Sequence, residues 1–560
     1  MNDEGARTSL IRLRSQPLRV DDVVAGATDS RQRIAVLLAL VVGAIMVSLP
    51  HDGLLAHTAA DDAFYYLAIA RRAGEAHWPT FDGAHTTTGF HPLWFFVLVP
   101  FAKMIASPWT LLRVAIALSS ALMIAASLSF GRLFKQVWGA EAGALGGVLL
   151  IASPGIARLG WMAMEAPLAL LLLSLFLREL FADHSRSRWL GLLAGLTILA
   201  RLDMAIVVAV ALGWRSLITR KIKLQSAIIT GVVAALVVAP YVAWNIVLTG
   251  HAMTISSATK AYVAKDIAMR AHGGRLTVGF AIDVFREITR VGPDILQLSP
   301  ASLIAGPIAL AGADHPSAAD PARHGVVVVL LALITLVMGG VLALDRSPRP
   351  RERVTLRLST DLVMVLAISS AVHAALACVF LIRQSGPWYW GLEAITIVAL
   401  LTYATTRWRT ASSVGLVATG AMLASMAMLV VGLLAGSASG RFADRASFAS
   451  VMLQAGDVLE TERADGELAG SCNAGTLGYF HPRVVNLDGL VSDWSLLDAR
   501  RRGEMRSYLA REKIHWVVDC VPPDAMDRYA AQLDLLPSQI ERKVEIAGPA
   551  CTGFVWRVTP

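Results

Sequence analysis

Two adjacent carboxylates, Asp61 and Asp62, follow the first apolar run of the chain and open the stretch ADDAFYYLAIARRAGEAHWPTFDGAHTTTGFHPLWFF. A carboxylate there could act as a general base on a hydroxyl nucleophile. It could hold a divalent cation through oxygen. It could also cap the helix-like run AFYYLAIARR. Capping accounts for one member of the pair, because adjacent residues cannot both cap one helix end well. The turn-rich tract that follows carries His85 and His91, which could orient a substrate or join a metal site. No fixed ligand spacing specifies a metal. Tyr65, one turn beyond the aspartates, is a candidate substrate contact.

Further chemistry-bearing residues are scattered along the chain. Glu165 lies in WMAMEAP, Arg201 and Asp203 in ILARLDM, and Lys260 in SSATKAY. Arg383 precedes QSGPWYWG, whose Trp388, Tyr389 and Trp390 suit a membrane interface. Lys260 and Arg383 are candidates for binding phosphate, one as a point charge and the other as a bidentate fork, with Arg201 next. Glu165, Asp203, Trp388 and Tyr389 are candidates for binding substrate.

The topology of a membrane protein would bring these scattered positions together. The 560 residues are 55% hydrophobic and 16% charged, with a mean hydropathy of +0.57. Apolar stretches of roughly 15–25 residues recur, which indicates a polytopic membrane protein. The net charge of +8 is concentrated in short loops, which sets orientation and does not indicate nucleic-acid binding. No phosphate loop of the GxxxxGK[ST] kind is present.

Arginines 7, 12, 14, 19, 31 and 33 place a tail, 1–33, in the cytoplasm. The first span, 34–50, reads as an uncleaved anchor and leaves Asp61 and Asp62 outside. Further spans are expected at 110–131, 142–153, 166–182, 188–200, 204–217, 225–248, 324–344, 358–382, 388–406 and 411–436. The short apolar stretch 93–106 is assigned to the outer surface, and 301–313 to the interface. A single helix through 188–217 would hold Arg201 and Asp203 in mid-membrane at roughly 2.5–3.5 kcal/mol each. Two short spans meeting at the outer rim avoid that cost. About eleven spans result, with outer loops 51–109 and 249–322 inside a membrane domain of 34–437. His251 and all the candidates above then fall at or near the outer face.

Residues 438–560 differ in texture. RVVNLDG, IHWVVDC and GFVWRV are β-type runs, and LLDARRRGEMRSYLAREK has helical spacing. A small outer α/β domain is expected. Three of the four cysteines lie in it, where a disulfide can form. Cys520 and Cys551 belong to predicted strands near the chain end and are the favoured pair. Cys472 is then left as a thiol, and Cys378 is a small apolar span residue.

The first-loop stretch resembles that of bacterial GT-C glycosyltransferases, integral-membrane enzymes that use polyprenyl-phosphate sugars. GWMAMEAPL, ILARLDM, PYVAWNIVLTGHAMTISSATKAY and GSCNAGTLGYFHPRVVNLDGLV are similar, in order, to later segments of that family. The resemblance covers most of the chain. It departs at Ala163, where the commoner form has glycine before Met-Glu. The resemblance implies an outward-facing inverting transferase in which an aspartate near the end of the first span, Asp61 or Asp62, is the base. It also implies surface helices in the first outer loop.

The expected activity is sugar transfer from a polyprenyl-phosphate donor to an acceptor hydroxyl at the outer face of the bacterial inner membrane. The acceptor is a glycan, a lipid-linked glycan or a protein. No cofactor is fixed, and a divalent cation is compatible with the acidic loop. Competing readings are a lipid-linked glycan flippase, a ligase or polymerase using a pyrophosphate lipid, and an inactive scaffold.

Overall fold

The computed structural model describes residues 20–57, 60–76, 78–272, 350–380, 386–407, 448–548 and 551–559. The predicted spans 324–344 and 411–436, the interfacial stretch 301–313 and Arg383 lie outside the described residues, as does most of the N-terminal tail.

The membrane part is helical. Its first elements are α1 (Val20–Ser48), α2 (His51–His57), α3 (Asp61–Ala76), α4 (Pro92–Met104) and α5 (Pro108–Trp138). Ser107 starts α5 by accepting the Thr110 N–H, and Pro108 fills the first turn, where an N–H is not needed. The 31 residues of α5 reach roughly 46 Å, more than a bilayer core. By contrast, the 13 residues of α4 reach roughly 20 Å, too short to cross upright.

Next come α6 (Ala140–Ala152), α7 (Pro154–Trp161), α8 (Ala166–Leu180), α9 (Ser187–Ala200), α10 (Met204–Gly213), α11 (Leu224–Thr249) and α12 (Ile255–His272). Pro154 removes a helical N–H, and α6 and α7 meet at 59°. A break also falls at Arg201–Asp203, between α9 and α10. Glycines at 191 and 195, one turn apart, bring α9 against α11. A Cβ at either would lie 2.5–2.6 Å from Val233 or Val237, so only glycine permits that approach. Finally, α13 (Pro350–Phe380) leads through a 3₁₀ turn (Pro387–Trp390) into α14 (Gly391–Arg407).

Among the described residues, α5, α11 and Thr360–Phe380 of α13 are long and apolar enough to cross a membrane. The bent pair α6–α7 adds a fourth if it forms one span. Several other predicted spans are short apolar helices, such as Ser187–Ala200 and Met204–Ile218. By length and composition, three helices among the described residues, or four with the bent pair, can cross upright.

The C-terminal region begins with α15 (Phe448–Glu462) and builds one five-stranded sheet. Its elements are β1 (Leu468–Ser471), α16 (Ala474–Phe480), β2 (Val484–Asn486), α17 (Trp494–Arg502), α18 (Met505–Arg511), β3 (Ile514–Val521), α19 (Met526–Gln532), β4 (Ile540–Ala547) and β5 (Thr552–Val558). Strand order is β2-β1-β3-β5-β4. β1 is parallel to β2 and β3, while β5 is antiparallel to β3 and β4. Val485, Val517, Phe554 and Trp556 are buried in its core. A disulfide joins Cys520 of β3 to Cys551 beside β5. Cys472 and Cys378 are thiols.

This domain sits directly on the membrane part. The backbone of α16 meets α3 so closely that a Cβ on Gly475 would lie 2.1 Å from the Asp61 carbonyl oxygen. A Cβ on Gly89 would lie 1.9 Å from the Leu490 carbonyl oxygen. Both contacts require glycine.

Candidate active site

One cavity lies where α3, the loop before α4, the α7–α8 joint, α12, the 387–390 turn and the C-terminal domain converge. Helix α3 contributes Asp62, Tyr65 and Tyr66, and the loop contributes Gly89, Phe90 and His91. Met164 and Glu165 come from the α7–α8 joint, Ser256 and Lys260 from α12, and Trp388 and Tyr389 from the turn. Leu490 and Val491 complete the lining from the C-terminal domain.

The two neighbouring aspartates face different ways. Asp61 accepts the N–H groups of Gly475 at 3.0 Å and Thr476 at 2.8 Å, and the Thr476 hydroxyl at 3.0 Å. It thus caps the first turn of α16 across the domain junction. Burial pushes its carboxyl up to about 7, against the pull of those donors. Asp62 lines the cavity. Burial raises its pKa as well, nearby Lys260 opposes the rise, and Glu165 adds to it.

Lys260 faces Asp62 from α12. Its ammonium donates to the Tyr389 hydroxyl and lies 4.7 Å from that ring's centroid. Burial opposes its charge, but Tyr389 and Asp62 outweigh burial and hold its pKa above the usual value.

Arg201 lies behind this wall with all three nitrogens engaged. It donates to Glu165 Oε1 at 2.6 Å, and to Asp203 Oδ2 at 2.6 Å and Oδ1 at 3.1 Å. It also donates to the Trp388 carbonyl at 3.3 Å, and its guanidinium lies 4.9 Å from the Tyr389 ring centroid. The extended backbone of Arg201 at the end of α9 directs it there. Glu165 is held by the α7–α8 joint, where Ala163 adopts a φ of 55°. Glycine is the residue most at ease with that backbone angle. The Trp94 indole donates to the Ala163 carbonyl at 3.2 Å and fixes the joint.

His91 lies within the lining, 3.9 Å from Glu165, and its Nδ1 accepts the Leu202 N–H at 3.4 Å. Burial lowers its pKa, so its neutral form prevails near pH 7. His85 is elsewhere. Its ring bridges Asp82 at 2.7 Å and Glu512, just after α18, at 3.1 Å, joining the loop to the C-terminal domain. The hydrogen bond its ring donates to Asp82 is the main cause that raises its pKa to about 9. His251 stacks on Trp494 at 3.6 Å, outside the lining.

Sequence reasoning missed three participants. His373 of α13 and Glu393 of α14 are buried and bonded to each other at 2.8 Å, and His373 also reaches Asp203 at 3.3 Å. A usable signal was present, since each is an ionisable residue inside an apolar helix. Asp488, in the turn after β2, accepts the Tyr65 hydroxyl at 3.4 Å and the Leu490 N–H at 2.7 Å. Burial raises its pKa to about 7. Among the described residues, no group of three or more His, Cys, Asp or Glu side chains is arranged to hold a metal ion.

No family model and no curated protein matches the chain. It is similar to solved structures. ArnT from Cupriavidus metallidurans bound to undecaprenyl phosphate is 17% identical, with 93% of this chain and 97% of that one covered and a TM-score of 0.44. The Archaeoglobus fulgidus oligosaccharyltransferase in complex with zinc and sulfate is 14% identical, with 93% and 72% covered and a TM-score of 0.43. Archaeal oligosaccharyltransferase AglB from Archaeoglobus fulgidus, with an inhibitory peptide and a dolichol-phosphate, is 13% identical, with 94% and 74% covered and a TM-score of 0.43.

Proposed function

We propose that this protein is a GT-C-type membrane glycosyltransferase that moves a sugar from a polyprenyl-phosphate donor to an acceptor hydroxyl. The observation that carries the reading is the placement of Asp62 and Lys260 on one cavity, between membrane helices and the C-terminal domain.

In this reading Asp62 is the base. It takes the acceptor hydroxyl proton as the oxygen bonds to the sugar's anomeric carbon from the face opposite the leaving group. The carbon–oxygen bond to the phosphate breaks with inversion, and the polyprenyl phosphate departs with the electron pair. A phosphate is a good leaving group, so no strong acid is needed. Proton removal is the demanding step, and a carboxylate whose pKa burial raises above its usual value suits it. Lys260 stabilises the charge developing on the phosphate, and Arg383 stays assigned to the same task from the sequence. Arg201 is already committed to Glu165 and Asp203, so we assign it to the frame of the site. Tyr65, Glu165, His91, Trp388 and Tyr389 contact the bound sugar and phosphate, while Asp203 acts through Arg201. We assign His85 and Asp61 to docking the C-terminal domain.

The reading places residues 438–560 and the loops 51–109 and 249–322 outside the bacterial inner membrane, with the lipid tail lying between spans. The test uses full-length protein in detergent and a polyprenyl-phosphate sugar carrying a radiolabel. Release of polyprenyl phosphate with transfer of label supports the reading. Reaction only with a pyrophosphate donor, or no transfer to any envelope-glycan or protein acceptor fraction, overturns it.

A further inference from the structure

We infer that the buried His373–Glu393 pair is a positioning relay that holds Lys260 and Tyr389 in place from inside the helix bundle. The assignment of a ligand to that wall rests on the proposed function, but the relay itself rests on geometry.

The contacts form one continuous chain. Glu393 Oε1 lies 2.8 Å from His373 Nδ1, and His373 Nε2 lies 3.3 Å from Asp203 Oδ2. Asp203 grips Arg201 with both oxygens. Arg201 in turn holds Glu165 and lies under the Tyr389 ring, and Tyr389 receives the Lys260 ammonium. Only the far end of this chain, at Glu165, Tyr389 and Lys260, borders the cavity. His373 is 2% exposed and Glu393 6%, so neither can reach substrate.

Two physical points separate a relay from simple structural glue. Burying several ionisable groups together is weak as a source of stability, and apolar residues of similar volume would do as well. Ionisable side chains inside apolar helices are retained chiefly where a function uses them. His373 also has a carboxylate oxygen at each ring nitrogen. A neutral imidazole has one N–H to give. The Glu393–His373–Asp203 unit therefore holds one proton more than a neutral ring between two ionised carboxylates would. That proton leaves Asp203 free to accept from both sides and keeps the Arg201 fork fixed. Replacing the ring by a neutral amide would take away its charge and leave the buried Glu393 and the partly buried Asp203 near each other with no cation between them.

The test reads Lys260 directly. Full-length protein in detergent is treated with an amine-acylating reagent, and modification of the Lys260 peptide is followed by mass spectrometry. In parallel, polyprenyl phosphate without sugar is titrated against tryptophan fluorescence. His373→Gln should speed Lys260 acylation about fivefold or more and weaken lipid binding about tenfold. Adding Glu393→Gln removes the stranded negative charge and should return both readouts to within about threefold of the parent. The milder Glu393→Gln alone should move Lys260 in the same direction by about twofold, and it decides the matter if His373→Gln does not fold. Unchanged Lys260 reactivity in the folded variants overturns the relay, as does a double variant no better than His373→Gln. If the parent protein fails to bind polyprenyl phosphate, the functional reading falls, while the acylation readout still decides the relay.

Discussion

The cavity has two dissimilar sides. Its inner side is backed by buried charge, with Arg201 held by Glu165 and Asp203, and Asp203 by His373. Its outer side is the C-terminal domain, held largely by hydrogen bonds to backbone groups. Arg72 donates to the Gly478 carbonyl at 2.7 Å, Tyr479 to that of Pro108 at 2.6 Å, and Thr259 to that of Gly489 at 2.9 Å. Charge in a buried setting fixes geometry within narrow limits but tolerates no missing partner. Many separate hydrogen bonds, most of them ending on a backbone group, share the work, and each can be lost at modest cost. The inner side is thus built to place a reacting group, and the outer side to cover it.

Substitutions should expose that contrast. Arg201→Ala leaves the buried Glu165 without its cation and should cost about 3–5 kcal/mol of stability, read as a large fall in the detergent unfolding temperature. A loss below about 1 kcal/mol would mean that the inner side behaves like a surface ion pair. Asp61→Ala removes a cap on α16 and should cost about 1–2 kcal/mol. Its signature is faster proteolytic release of the C-terminal domain with the helical part still folded. A smaller effect comes from His85. Its folded pKa of about 9 lies above the unfolded value of 6.5. Its contribution is therefore complete below about pH 6.5 and disappears as pH rises through about 9. Protection of the 85–512 junction from protease should weaken between those limits, and His85→Gln should flatten the profile.

Parts of this arrangement are legible in the sequence for stateable reasons. The break between α9 and α10 follows from the cost of placing Arg201 and Asp203 in mid-membrane. β3 and β5 announce themselves through the runs IHWVVDC and GFVWRV. β1, with the small residues LAGS, and β4, with the charged IERKVEIA, carry no comparable pattern because each is defined by its neighbours in the sheet. The helical run LLDARRRGEMRSYLAREK divides at Gly503, whose φ of 69° ends α17. The roles of Asp61 and Asp62 cannot be told apart locally, since the partners of Asp61 lie 414 and 415 positions away. His373 and Glu393 read as isolated polar residues in apolar spans until α13 and α14 are placed side by side.

The most direct test compares the neighbouring aspartates in single-turnover transfer from a labelled polyprenyl-phosphate sugar. Asp62→Asn should lower the rate by roughly 10²–10⁴-fold while still binding polyprenyl phosphate, and Asp61→Asn should stay within about tenfold of the parent. Full transfer by Asp62→Asn, or a deeper loss from Asp61→Asn in a folded protein, would contradict the account.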